Sequence, residues 1–265
     1  MIYNPREGSL DLQDTTLNYI TFGRGTKPLV LIQGLNTRGI HGFAFFIAHA
    51  YRLFAKDYKV YLFDRRAKVD KGLTVSDLAL DIEVAMDMLE ISKADVIGVS
   101  QGGMIAQYMA IHRPDLVNKL VLAVTLSRNN PVLEEAIQTW IQYTQQGDIK
   151  NLVRDMMMRV YSEQYVNRYK SLIPLLAKLQ QPKDKERFII LSESCLTCDT
   201  YEQLEKIKCP VFVIGGQLDK VVTGQASYEI AEKLDCRIYM YQDLGHAAYH
   251  EAKDFNLRIL NFMRA

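Results

Sequence analysis

Five residues near the middle of the chain, Gly98-Val99-Ser100-Gln101-Gly102, carry the strongest chemical signal. The apolar, β-branched residues Val96 and Ile97 lead into this Gly-x-Ser-x-Gly turn, and Met104, Ile105, Tyr108, Met109 and Ile111 leave it at helical spacing. The pattern predicts a strand, a sharp turn and a helix, with Ser100 at the apex. Such a turn strains the serine backbone, and a Cβ at Gly98 or Gly102 would crowd the neighbouring strand or helix. The N–H of Gln101, the first of the new helix, would then face the place where negative charge develops on an attacked carbonyl oxygen. A serine that merely caps a glycine-rich strand-helix turn is the alternative.

A serine hydroxyl is a weak nucleophile at neutral pH and needs a base, usually a histidine held by a carboxylate. Of the five histidines, His41 and His49 precede Ser100, and His112 follows it closely at a predicted helix end. His250 falls in a predicted helix. His246 directly follows a strand and the loop Gln242-Asp243-Leu244-Gly245, a place from which a side chain reaches across the C-terminal edge of a sheet. Asp219 occupies the corresponding loop one strand earlier. Asp235 precedes a strand and sits at the wrong end, and Asp243 lies too close to the histidine along the chain. Gln33-Gly34-Leu35-Asn36 follows the buried strand Pro28 to Ile32, which makes the Leu35 N–H the candidate second donor beside that of Gln101.

The remaining elements must bring these residues together. Strand patterns at Leu17 to Phe22 (an edge hairpin arm), Pro28 to Ile32, Tyr58 to Asp64, Asp95 to Val99, Leu120 to Val124, Pro210 to Gly216 and Arg237 to Tyr241 alternate with helical ones. The fold class is α/β, a doubly wound, mainly parallel sheet. Phe43 to Phe54 predicts a core-facing helix, and Thr74 opens a helix through Leu89 with Asp77 and Asp81 near its positive end. Asp64-Arg65-Arg66 at a strand end is read as a structural ion pair. From 127 to 201 strand patterns vanish and four helices are predicted: Val132 to Gln145, Ile149 to Tyr161, Tyr165 to Gln180 and Lys185 to Cys195. The division is therefore a core domain, 1–126 and 202–265, with a helical cap, 127–201, inserted after the sixth strand. Trp140, Tyr143, Met157 and Tyr161 are the candidate residues of an acyl or alkyl pocket between cap and Ser100.

Lys and Arg number 32 against 31 Asp and Glu, a net charge of +1, so no overall field favours nucleic acid or an anionic membrane. No apolar run reaches membrane-span length, and the Met1 to Glu7 start lacks a signal-peptide core. A cytoplasmic monomer or homodimer acting on a small acyl or ester substrate is expected. Cys195-Leu-Thr-Cys198 has no second pair or histidine at zinc spacing, so the four cysteines read as free thiols and no metal is expected.

The order Ser100, Asp219, His246, with the serine in Gly-Val-Ser-Gln-Gly-Gly-Met-Ile-Ala, resembles the α/β-hydrolase superfamily from Tyr19 to Met263, and especially its capped serine esterases and enol-lactone hydrolases. The resemblance implies the α/β-hydrolase fold and ester hydrolysis through an acyl-enzyme, without a cofactor. A lactone or carbon–carbon bond hydrolase on the same residues, or a non-catalytic receptor of this fold, is the alternative. Two departures stand out. Gln33-Gly34 replaces the His-Gly common in the oxyanion loop, and Asp64 to Gly72 is more charged and poorer in glycine than the usual Asp-x-x-Gly-x-Gly.

Overall fold

The computed structural model describes residues 3–265, apart from the side chain of Gln180; Met1 and Ile2, part of the chain start read above, lie outside the described residues. The chain runs β1 (Arg6–Asp11), β2 (Thr16–Phe22), β3 (Lys27–Ile32), α1 (Ala44–Ala50), β4 (Tyr58–Phe63), α2 (Val75–Met88), β5 (Ala94–Val99), α3 (Gln101–His112) and β6 (Val117–Ala123). Five helices follow without a strand among them: α4 (Pro131–Gln146), α5 (Ile149–Val160), α6 (Glu163–Tyr169), α7 (Ile173–Gln180) and α8 (Lys185–Cys195). The alternation resumes with β7 (Val211–Gly216), α9 (Gly224–Leu234) and β8 (Arg237–Tyr241), and ends with α10 (Ala248–Glu251) and α11 (Phe255–Arg264).

The eight strands form one sheet in the order β1-β2-β4-β3-β5-β6-β7-β8. The first two pairings are antiparallel and all the others parallel. Period-two alternation divides the central strands between two cores. Val96, Leu120, Leu122 and Val213 join one with α2, α3 and α9, while Ile97, Val121, Phe212 and Ile214 join the other with α11. β5 and β7, covered on both faces, are continuous apolar runs apart from Asp95 near the start of β5, which accepts from Tyr58 and Asn118. Because β3, β5, β7 and β8 are parallel, the segments after them emerge at one edge of the sheet.

Four features differ from the sequence reading. β1 was not expected, and it pairs with β2 from Thr16 to Thr21 while β4 pairs with its other side, so the hairpin arm Leu17 to Phe22 is not the edge. The predicted helix Phe43 to Phe54 is cut to α1, and its stripe is divided: Phe43 and Phe46 are 41% and 69% exposed, whereas Ile47, Tyr51 and Phe54 pack in the second core. Phe43 and Phe46 line an open groove beside Met156 and Tyr161. The helix expected from Tyr165 to Gln180 is broken by a 3-10 turn at Lys170–Leu172, because Pro174 lacks the N–H a continuing helix needs and starts α7 instead. Asp81, expected at the α2 dipole, instead pairs with Arg66 at 2.8 Å, while Thr74 and Asp77 form the reciprocal cap.

Candidate active site

The β5–α3 turn is as tight as its sequence required. A Cβ on Gly98 would overlap the Gly102 carbonyl, and one on Gly102 would overlap the Ile32 carbonyl of the adjacent strand. Ser100 takes φ 54°, ψ −121°, a strained combination for a residue with a side chain. Its N–H donates to the Ala123 carbonyl (2.8 Å) and its carbonyl accepts from the Thr125 hydroxyl (2.8 Å), so strand pairing and a side chain hold the strain in place.

Asp219 and His246 reach Ser100 from the loops after β7 and β8. His246 Nε2 lies 2.9 Å from Ser100 Oγ, and Nδ1 lies 2.8 Å from Asp219 Oδ2. Both partners are buried, with 5% and 8% of their surface exposed. The other carboxylate oxygen, Oδ1, accepts from the N–H groups of Val221 (2.8 Å) and Val222 (3.0 Å), which fixes the direction of Oδ2. A carboxylate therefore orients an imidazole, and the imidazole can take the proton of a hydroxyl.

Leu35 and Gln101 stand where the sequence put them. A Cβ on Gly34 would come 3.2 Å from Ser100 Cβ, so the Gly34-Leu35 peptide passes directly beside the serine. Neither the Leu35 N–H nor that of Gln101 donates to a described residue, which leaves both for a ligand oxygen.

Sequence reasoning missed the network behind these amides. Arg65, only 4% exposed, donates Nε to Gln101 Oε1 (3.0 Å) and Nη2 to the Gln33 carbonyl. Gln101 Nε2 in turn donates to the Leu191 carbonyl (2.7 Å) on α8. Burial lowers the Arg65 pKa to about 10, and the nearby Asp64 carboxylate works against that fall. Of the charges in Asp64-Arg65-Arg66, read as a structural ion pair, Arg66 forms one and Asp64 and Arg65 do not among the described residues. Arg66 pairs with Asp81, Asp64 accepts from the Ile40 and Arg65 N–H groups (3.0 and 2.8 Å), and Arg65 joins the loop after β3, the serine turn and, through Gln101, α8. The extra charge after β4 was the available signal.

Ser100 and His246 open into a cavity of about 200 Å³ under the helical block. Trp140, Met157 and Tyr161 line it as expected, and Trp140 is held by donating Nε1 to Asp155 Oδ2 at 2.8 Å. Tyr143 does not line it. Leu133, Ile137 and Trp140 form the inward stripe of α4, and one helical step of 100° per residue carries Tyr143 to the flank of that stripe. Tyr165 and Tyr249 are lining residues the sequence reading did not name. Cys195 also lines the cavity, and burial pushes its thiol up to about 12. Only about one molecule in 10⁴ is then a thiolate at pH 8. Iodoacetamide should label Cys195 in the native protein about 10³-fold more slowly than a free cysteine; peptide mass spectrometry after timed quenching measures this, and labelling at the free rate would refute it.

The profile of the alpha/beta hydrolase fold matches residues 27–253. The chain belongs to this α/β-hydrolase family. It is 26% identical to 3-oxoadipate enol-lactonase 2 of Acinetobacter baylyi over 220 residues, covering 81% of this chain and 80% of the relative. It is also 26% identical to 2-hydroxy-6-oxononadienedioate/2-hydroxy-6-oxononatrienedioate hydrolase 2 of Pseudomonas putida over 273 residues, with 98% and 94% coverage. The fold is that of the enol-lactonase from Burkholderia xenovorans LB400, at TM-score 0.84 and 20% identity over 97% of this chain and 100% of that one. As in the sequence, no membrane span stands out: among the described residues no helix is long and apolar enough to cross a bilayer.

Proposed function

We propose that this α/β hydrolase cleaves carboxylic esters or related small acyl substrates through an acyl-enzyme on Ser100. The observation that carries the reading is the relay from Asp219 Oδ2 through His246 to Ser100 Oγ, at 2.8 and 2.9 Å. His246 takes the Ser100 proton as Oγ attacks the carbonyl carbon. The Leu35 and Gln101 amides receive the oxyanion, each contributing about 3 kcal/mol. His246 then protonates the leaving alcohol, and a water repeats the sequence on the acyl-enzyme. The helical block 127–201 serves as the cap, and the cavity beneath it takes the acyl group. Among the described residues no lysine, arginine, aspartate or glutamate lines the cavity, which favours an uncharged acyl group.

A lactone is an internal ester, and cleavage of one is the second reading, favoured by the likeness to 3-oxoadipate enol-lactonase 2. The test is shared. A fluorophosphonate should label Ser100, and p-nitrophenyl acetate and butyrate should be hydrolysed at a rate that Ser100→Ala lowers at least ~10⁴-fold. Undiminished turnover by Ser100→Ala would end the proposal.

A further inference from the structure

Three phenols stand in the cavity without protein partners. Tyr161 and Tyr165 come from the cap helices' junction, and Tyr249 comes from α10, three residues after His246. None of their hydroxyls bonds to a described residue, and none is among the buried polar atoms sealed from solvent. Tyr249 is enclosed by protein yet keeps part of its surface uncovered, so the uncovered part faces the cavity. The other polar side chains of the lining are already engaged: Trp140 donates to Asp155, the Cys195 thiol donates to the Leu191 carbonyl, and Ser100 bonds His246, which also bonds Asp219. Tyr161 stacks on Tyr165 with ring centroids 4.2 Å apart, and His250 meets both rings edge-on, so neither phenol is free to swing away.

Resting on the acyl-enzyme reading, we propose that Tyr249 and Tyr161 select the acyl group: it carries a neutral acceptor oxygen, as a ketone, an ether or a ring oxygen, a few atoms beyond the scissile carbonyl. Burial holds all three phenols above their ordinary value, Tyr161 at about 12, so at neutral pH they are uncharged donors. A plain alkyl chain would displace water from these hydroxyls and leave them unpaired, whereas an acceptor oxygen pairs them. A carboxylate in the same place would find donors but no counter-charge, since no lysine or arginine among the described residues lines the cavity.

The experiment compares p-nitrophenyl 4-oxopentanoate and 5-oxohexanoate with the pentanoate and hexanoate. The wild-type kcat/KM ratio of oxo to plain ester should exceed about tenfold for at least one pair, and Tyr249→Phe or Tyr161→Phe should bring it toward one. The same pairs are titrated calorimetrically into Ser100→Ala, where the Kd ratio should show the same preference. Equal Kd values for oxo and plain esters, or a preference untouched by both phenylalanine variants, would overturn the inference. If neither ester turns over while the Kd preference persists and is lost in Tyr249→Phe, the phenols stand and the acyl-enzyme reading falls.

Discussion

Asp219→Asn should lower kcat for p-nitrophenyl butyrate about 10⁴-fold while leaving the thermal melt almost unmoved. The reason lies in the two oxygens having different jobs. Oδ1 accepts from the Val221 and Val222 N–H groups, so in the variant the amide carbonyl must take that position, since an NH₂ there would oppose two donors. The new NH₂ then faces His246 Nδ1, where Oδ2 was. Nδ1 is forced to accept, the ring hydrogen moves to Nε2, and a protonated Nε2 cannot take a proton from Ser100. Size and hydrogen-bond number are conserved, which is why the fold survives. Steady-state kinetics beside a melting curve checks it; a loss below tenfold would remove Asp219 from the relay.

How much of this was legible depends on whether a feature is local. The serine turn is written in consecutive residues, because the strain at Ser100 and the close approaches at Gly98 and Gly102 follow from steric rules acting within a few positions. Asp219 and His246 were reachable because parallel strands deliver their following loops to one edge. Arg65 was not reachable: its partners, Gln33, Gln101 and through it Leu191, come from three separate segments, and nothing in a local pattern ties an arginine to a carbonyl 32 positions away. The helix at Phe43 misled for a related reason. Helical spacing of apolar residues shows that a face is apolar, and here that face is split between a core, at Ile47, Tyr51 and Phe54, and an open groove, at Phe43 and Phe46. Tyr143 failed on angle alone, being aromatic and adjacent to the stripe without belonging to it.

Arg65→Met is the prediction that separates placement from mere stability. Burying the guanidinium costs on the order of 3 kcal/mol, judged from the depth of its pKa depression, and methionine removes that cost. Against it stand two acceptors, the Gln33 carbonyl and Gln101 Oε1, each left unpaired at about 1–3 kcal/mol. These nearly cancel, so the melting temperature should shift by only a few degrees. Chemistry does not cancel in this way. The Gln33 carbonyl precedes the Gly34-Leu35 peptide, and Gln101 carries the other free amide, so losing Arg65 loosens both proposed oxyanion donors, and a displacement near 1 Å costs about 10²-fold in rate. The expected result is kcat reduced about 10²-fold with KM within a few-fold, because Arg65 and Gln101 do not themselves line the cavity, which meets their side-chain network only at Cys195. Lysine at 65 reaches one acceptor at a time and should recover only part of the loss. A variant that melts far lower yet retains kcat per folded molecule would mean that Arg65 braces the loops without positioning the two amides.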